Sequence, residues 1–135
     1  MITKETLSIA RLMEVLKAAY MEASLDSDGD IVTREDYRAY VQVPESADAM
    51  RYLAQFSVNT SASRDGLLEF TNRVNAGLRV PRAYLVDADG RRSIVIDEYV
   101  YVDAGLEESS FISSLRRFHR SLRAVVQQDT DNVLG

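Results

Sequence analysis

Hydrophobic and polar positions alternate with a two-residue period most clearly from Arg82 to Val102. Two runs of β-branched and aromatic residues are joined there by Asp-Ala-Asp-Gly, with Asp89-Gly90 as the turn dipeptide, so the pattern predicts a β-hairpin. One face of its second strand is apolar except for Glu98, and the other carries aromatic residues. The first face holds Ile94, Ile96, Val100 and Val102, and the second holds Val95, Tyr99 and Tyr101.

Apolar residues at steps of three and four predict three helices. The first is expected from about Thr3 to Met21, with Thr3 as its N-cap. The second follows the hydroxyls of Ser61 and Ser63 and ends where Gly77 is expected as a left-handed C-cap, before Pro81. The third is expected over Glu107 to Gln128 on one continuous apolar stripe, formed by Phe111, Leu115, Phe118, Leu122 and Val125.

The segment between about Glu22 and Asn59 predicts up to four short strands joined by short turns, which is typical of a meander. The expected fold is therefore α+β: an antiparallel β-sheet, made of a meander and a C-terminal hairpin, packed with three helices in the order α-β-β-β-(β)-α-β-β-α. Residues 1–128 are expected to form one domain, and residues 129–135 a flexible C-terminal tail.

Composition narrows the classes of function. The chain has 135 residues, 46% hydrophobic and 27% charged, as expected for a folded domain. Its net charge of −5 argues against a general nucleic-acid-binding protein, and the absence of cysteine excludes disulfides, thiol nucleophiles and thiolate metal sites. The N-terminal segment has the pattern of neither a signal peptide nor a membrane span, so we expect a cytoplasmic protein.

The stretch SLDSDGDIVTRE resembles the calcium loop of an EF-hand. Aligned on its glycine, the loop starts at Ser24 and offers four possible metal ligands. They are Asp26, Asp28, Asp30 and Glu35. Calcium binding by these four residues is the weaker alternative, because the loop lacks the first acid and strand periodicity follows it where an EF-hand needs a helix.

The string Asp-x-Asp-Gly recurs from Asp87 to Gly90, in a place that cannot be a calcium loop. There Leu85 would take the first ligand position and Ile96 the position of the bidentate glutamate. Both copies are therefore interpreted as turns, in which aspartates bond to nearby backbone and glycine accepts a positive φ.

No catalytic or cofactor-binding constellation stands out in the sequence. His119, the only histidine, is expected at the edge of the core, and Asn72 and Asn75 are expected to be a polar shoulder or to bond to neighbouring backbone. Packing is the favoured role for the face that carries Tyr99 and Tyr101, with a groove rim or a dimer contact as alternatives. These two tyrosines are the candidate partner-binding residues.

From about Thr3 to Gln128 the chain resembles the YbjN family, described as bacterial sensory transduction regulators with a fold similar to type III secretion chaperones. The resemblance is carried by SLDSDGDIV, by LAQFSV, and by FTNRVNAGLRVPRAYLVDADGRRSIVIDEYVYV followed by FISSLRRFHRSLRAVV. The Arg-Val-Pro-Arg junction at residues 79–82 departs from the more usual aromatic or glycine character of the family. The resemblance implies non-enzymatic work through protein contacts, often as a dimer, without a cofactor.

Three functions follow as hypotheses. The first is a regulatory module that binds a protein partner and forms a homodimer. The second is a secretion-type chaperone that holds an effector segment. The third is a calcium sensor that uses the loop from Asp26 to Glu35, and an enzyme ranks below all three because no nucleophile, base and orienting group are found together.

Overall fold

A computed structural model describes all 135 residues, and it contains three helices and six strands. The helices are α1 (Ile9–Ala18), α2 (Arg64–Gly77) and α3 (Glu108–Gln127). The strands are β1 (Ala23–Leu25), β2 (Ile31–Arg34), β3 (Arg38–Gln42), β4 (Ala49–Ser57), β5 (Arg82–Ala88) and β6 (Arg91–Tyr101). The predicted order of elements is confirmed, including the optional fourth strand of the meander.

The six strands form one antiparallel sheet in the order β1-β2-β3-β4-β6-β5. Strands β1 to β4 form the meander, and the β5–β6 hairpin joins it through the long pairing of β6 with β4, from Ala49 opposite Tyr101 to Ser57 opposite Ser93. The hairpin turn is the predicted dipeptide, because Asp89 and Gly90 have φ values of 52° and 75°. Positive φ at both positions matches the right-handed twist of the flanking strands.

All three helices lie on one face of the sheet, where the alternation of the strands places the apolar side chains. The α3 stripe that the sequence predicts is completely buried, and its Phe118 packs edge-on against Tyr52 of β4 with ring centroids 5.7 Å apart. The Tyr52 hydroxyl lies 2.6 Å from Ser114 Oγ, which donates in turn to the Phe111 carbonyl at 2.9 Å. Since both hydroxyls are satisfied, the polar contact joins α3 to β4 without an unpaired buried group.

His119 is buried, and it connects α3 to β2. Its Nε2 lies 2.8 Å from the Thr33 hydroxyl, while Nδ1 has no hydrogen-bond partner. Burial lowers the pKa of His119, an effect that Glu35 and Asp36 partly oppose. The histidine therefore belongs to the core face of α3, at the position next to the stripe where the sequence places it.

Both predicted ends of α1 and the predicted cap of α2 are wrong, and α1 ends at Ala18 rather than at about Met21. Helix α1 begins at Ile9 with Ser8 as its N-cap, because Ile2 is instead held in a β-bridge with Leu106 and Thr3 closes only a local turn. Gly77 is the last residue of α2 rather than a left-handed cap: Leu78 follows it with extended backbone, and its N–H still bonds to Val74. The chain thus leaves α2 directly into the segment that precedes β5.

The predicted flexible tail, residues 129–135, instead packs against the end of β4. Val133 is buried and accepts a hydrogen bond from the Asn59 N–H at 2.7 Å, and Leu134 forms a β-bridge with Val58. Asp129 accepts hydrogen bonds from the N–H groups of Val133 and Leu134. Two apolar residues near the C-terminus and this aspartate turn explain why the segment is ordered.

Candidate functional site: the open face of the sheet

The face of the sheet opposite the helices is not covered by any other element. We call it the open face. The register of the strands places on it side chains from β2 to β6, among them Arg34, Arg38, Tyr40, Gln42, Arg51, Leu53, Gln55, Arg82, Tyr84, Val86, Arg91, Val95, Asp97, Tyr99 and Tyr101. Because an uncovered sheet face that is rich in arginine and tyrosine is available to a partner, it is the candidate functional site.

Asp97 lies near the centre of the open face, yet its side chain is completely buried. Its Oδ2 accepts hydrogen bonds from Arg51 Nε at 2.8 Å and Nη2 at 2.6 Å, and its Oδ1 accepts one from Arg82 Nε at 2.6 Å. Arg51 Nη2 also donates to the Tyr84 hydroxyl at 2.8 Å. We call these four residues, drawn from β4, β5 and β6, the Asp97 cluster.

The charges of the Asp97 cluster favour the ionised carboxylate. Burial alone would raise the pKa of Asp97, but the hydrogen bonds and charges of Arg82 and Arg51 outweigh it and hold the pKa below its ordinary value. Two guanidiniums share one carboxylate, so the cluster keeps a net positive charge. The cluster therefore presents positive charge to solvent, and hydrogen bonds to Asp97 hold its guanidinium groups in place.

The candidate tyrosines stand beside this cluster, on the solvent side of the sheet. The exposed fractions of Tyr99 and Tyr101 are 44% and 63%, so the favoured packing role is wrong: the helices cover the opposite face. The Arg51 guanidinium lies 5.8 Å from the centroid of the Tyr99 ring, which is within the range of a cation–π interaction. Tyr99 is thus held by its neighbour, while Tyr101 projects freely.

A wide basin occupies the other end of the open face, with a volume of about 1140 Å³. We call it the arginine basin. It is lined mainly by Arg34, Arg38, Tyr40, Gln55, Ser57 and Arg91. Of the four arginines that line it, Arg34, Arg38 and Arg91 form no salt bridge within the chain, whereas Arg92 pairs with Asp87 at 3.2 Å.

The EF-hand-like segment forms a turn between β1 and β2. Asp26 Oδ1 accepts hydrogen bonds from the N–H groups of Asp28 and Asp30, and Gly29 has a φ of 82°, so the turn interpretation is confirmed. Asp30 is turned toward Gln42, which donates to its carboxylate at 3.0 Å, and Glu35 lies beyond β2. The structure does not bring the four proposed calcium ligands together as a group.

The free edge of β5 is partly closed by a side chain of α2. Asn75 accepts the Ala83 N–H at 2.7 Å and donates to the Ala83 carbonyl at 2.9 Å. Its amide thus imitates the backbone of a neighbouring strand, which satisfies part of an otherwise unpaired edge. The asparagines were expected to be a polar shoulder or to bond to neighbouring backbone: Asn75 bonds to backbone, and Asn72 is exposed.

Glu98 faces the helices, opposite Tyr52, and interrupts the apolar face of β6 as the sequence indicates. Burial raises its pKa to about 7, although the charge of Arg117 on α3 works in the opposite direction. Because it faces the helices, Glu98 does not belong to the open face. Its raised pKa also means that it titrates at a higher pH than Asp97.

Sequence reasoning found the two tyrosines of the open face but missed the Asp97 cluster and the arginine basin. The available signal was the presence of Arg51 and Asp97 in the interior of strands, where their alternation with core residues places both on the same side of the sheet. Their contact depends on the register of β4 with β6, which puts Leu53 opposite Asp97 and Arg51 two pairs away on the same face. No local pattern specifies that register.

Comparison with models of protein families identifies the family of the chain. A family model for YbjN, described as "Putative bacterial sensory transduction regulator", matches residues 8–128. The chain belongs to the YbjN family. No match was found among curated proteins.

Solved structures share the fold at low sequence identity. The crystal structure of YbjN from E. coli, called a "putative transcription regulator", has a TM-score of 0.81 at 16% identity and covers 96% of each chain. An uncharacterised protein from Methanothermobacter thermautotrophicus has a TM-score of 0.63 at 17% identity, over 90% of this chain and 95% of that one. The three helices and antiparallel sheet are thus a shared architecture.

The predicted likeness to secretion chaperones is also confirmed at the level of fold. The Yersinia pestis type III secretion chaperone SycH, solved in complex with a stable fragment of YscM2, has a TM-score of 0.53 at 10% identity. The match covers 90% of this chain and 100% of SycH. No helix has the length and apolarity needed to span a membrane.

Proposed function

We propose that this YbjN-family protein is a non-enzymatic, cytoplasmic regulatory module that binds a protein partner through the open face of its sheet. The observation that carries the proposal is an uncovered face on which Tyr99 and Tyr101 are exposed beside a rigid, cationic Asp97 cluster. Tyrosine and arginine are enriched at the energetic centres of protein interfaces.

Affinity purification with mass spectrometry tests this proposal when the tagged protein is compared with two variants. The double substitution Tyr99→Ser and Tyr101→Ser should reduce recovery of the specific partner at least tenfold. Tyr20→Ser is the matched control, because Tyr20 is 97% exposed at the end of α1, away from the open face. Equal recovery with all three proteins would contradict a role for the open face.

A secretion-type chaperone is the second candidate function. It is supported by the fold that the chain shares with SycH, whose structure contains a fragment of YscM2. This function requires one effector, encoded beside the chaperone, that is recovered with it and is degraded or aggregates without it. Recovery of a soluble signalling protein that is stable on its own would favour the regulatory module instead.

We also propose a homodimer, on the basis of the family resemblance and of the apolar residues on both faces of the hairpin. Light scattering at micromolar concentrations should give about twice the chain mass of 15.2 kDa. A mass of one chain across this concentration range would contradict the dimer without affecting the binding role of the open face.

A further inference from the structure

The charge on the open face is opposite to the charge of the whole protein. Its strands contribute five arginines and one aspartate, namely Arg34, Arg38, Arg51, Arg82, Arg91 and Asp97. With a net charge of −5 for the chain, the +4 of these six side chains leaves −9 on all other residues. Such a segregation of charge creates a local positive field on one side of an acidic molecule.

The arginine basin holds the part of this charge that has no internal counter-ion. Arg34 and Arg38 are directly opposite each other in the β2–β3 pairing, and both are exposed. Like charges at opposed positions of an antiparallel pair destabilise the sheet. Only Asp89, in the hairpin turn, contributes a carboxylate to the lining. An external anion would relieve the repulsion between the two arginines.

The shape of the basin fits an extended chain better than a small ion. Its lining residues come from five adjacent strands, β2 to β6. At ~4.8 Å between strands, this span is ~19 Å, the length of about six residues in an extended peptide. Val58 and Val86 add apolar surface between the charged side chains. Alternating acidic and apolar residues would match this lining.

We propose that the arginine basin binds an acidic, extended polypeptide segment of the partner, with its carboxylates on Arg34, Arg38 and Arg91. This proposal rests on the proposed function and specifies the chemistry of the partner. A peptide is favoured over a nucleic acid because the charge of −9 on the rest of the chain repels a polyphosphate that extends beyond the basin. A short acidic segment is confined to the cationic face.

Fluorescence anisotropy with synthetic probes tests the proposal. The probe is a fluorescein-labelled ten-residue peptide that alternates glutamate with valine, and the comparison probes replace glutamate with lysine or are single-stranded DNA of ten nucleotides. We expect the glutamate peptide to bind at least tenfold more tightly than either comparison probe, and its affinity to fall as salt rises.

Charge reversal locates the site. Arg34→Glu with Arg38→Glu should weaken binding of the glutamate peptide at least tenfold. Arg116→Glu with Arg120→Glu makes the same charge change on the solvent-exposed face of α3 and should leave the affinity within twofold. Arg34→Glu alone places a glutamate opposite Arg38, so it should weaken binding while it raises the melting temperature. A variant that simply unfolds would not show both effects.

Three outcomes would overturn the inference: no binding of the glutamate peptide, equal or tighter binding of the lysine peptide or the DNA, or equal loss in the basin variant and the α3 variant. If the inference fails while Tyr99→Ser with Tyr101→Ser still abolishes partner recovery, the proposed function stands and only the chemistry assigned to the basin is wrong. If partner recovery is also unaffected by the tyrosines, both proposals fail.

Discussion

Asp97→Asn is the substitution that most sharply probes how the open face is built. Asparagine keeps the shape of the side chain but removes its charge and turns one acceptor into an N–H₂ donor. Oδ1 and Oδ2 of Asp97 both accept from guanidinium groups, at 2.6 Å from Arg82 and at 2.6 and 2.8 Å from Arg51. Either orientation of the amide therefore places a donor against a donor.

The size of the stability loss in Asp97→Asn depends on how far Arg51 and Arg82 are buried. Removing one member of a buried ion pair typically costs about 3–5 kcal/mol, because the other charge is left uncompensated. The Arg51 and Arg82 side chains are 21% and 63% exposed, so water can solvate part of each guanidinium in the variant. We therefore expect a loss of about 2–4 kcal/mol in the free energy of unfolding, a large part of the ~5–15 kcal/mol of a typical domain.

Urea denaturation at pH 7, followed by far-UV circular dichroism, measures this loss. Asp87→Asn is the matched control: Asp87 lies in the same hairpin and pairs with Arg92 at 3.2 Å, but both side chains are about one-third exposed. A surface pair contributes about 0–1 kcal/mol, so the control should change stability little. Equal effects of the two substitutions would refute the assignment of Asp97 as a buried, charge-paired centre.

The pH dependence gives an independent check of the same contact. Because the folded-state pKa of Asp97 lies below its ordinary value of 3.8, its stabilisation is complete above that value and is lost as pH falls through the folded-state pKa. The difference in stability between the natural chain and Asp97→Asn should thus shrink below about pH 4. A difference that is constant with pH would mean that the ionised carboxylate is not what the substitution removes.

Three further predictions concern the elements around the open face. Asn75→Ala leaves the Ala83 N–H and carbonyl without their partner and should cost about 1–2 kcal/mol by urea denaturation, whereas Asn72→Ala should be neutral within ~0.5 kcal/mol. Burial raises the pKa of Glu98 from 4.5 to about 7, so the contribution of Glu98 to stability falls as pH rises from about 4.5 to 7. The free energy of unfolding of Glu98→Gln, measured relative to the natural chain, should therefore increase by about 1–2 kcal/mol between pH 5 and pH 8, after allowance for partial solvation. Tyr52→Phe removes one buried hydrogen bond while leaving the ring packing intact, and should lower the melting temperature by an amount equivalent to about 0.5–1.5 kcal/mol.

Local patterns predicted most of the fold. The α3 stripe is buried as its spacing predicts, whereas the two-residue period of the hairpin sorted its side chains into two partly apolar faces without showing which one enters the core. The helix ends were less predictable, since Thr3 and Ser8 are both good N-caps and the choice depends on the distant bridge between Ile2 and Leu106. Order at the C-terminus likewise depends on contact with Val58, a residue far away in sequence.

The open face was predicted only in part, because its properties arise between strands. The spacing of Tyr99 and Tyr101 showed that they share a face, but the position of all three helices decides that this face is exposed. The repulsive opposition of Arg34 and Arg38 likewise depends on the register of a hairpin whose turn has no diagnostic dipeptide. Pairing across strands therefore carries the functional information that single-strand periodicity lacks.

Site-specific photo-crosslinking tests the central claim, that the open face contacts the partner, most directly. Benzoylphenylalanine is larger than tyrosine, but Tyr101 and Tyr20 are 63% and 97% exposed, so it can be placed at Tyr101 on the open face and, in a separate protein, at Tyr20 on the opposite layer. Irradiation in the native host should give one discrete crosslinked protein from position 101 and none from position 20. The reverse result, or the same crosslinks from both positions, would contradict the account.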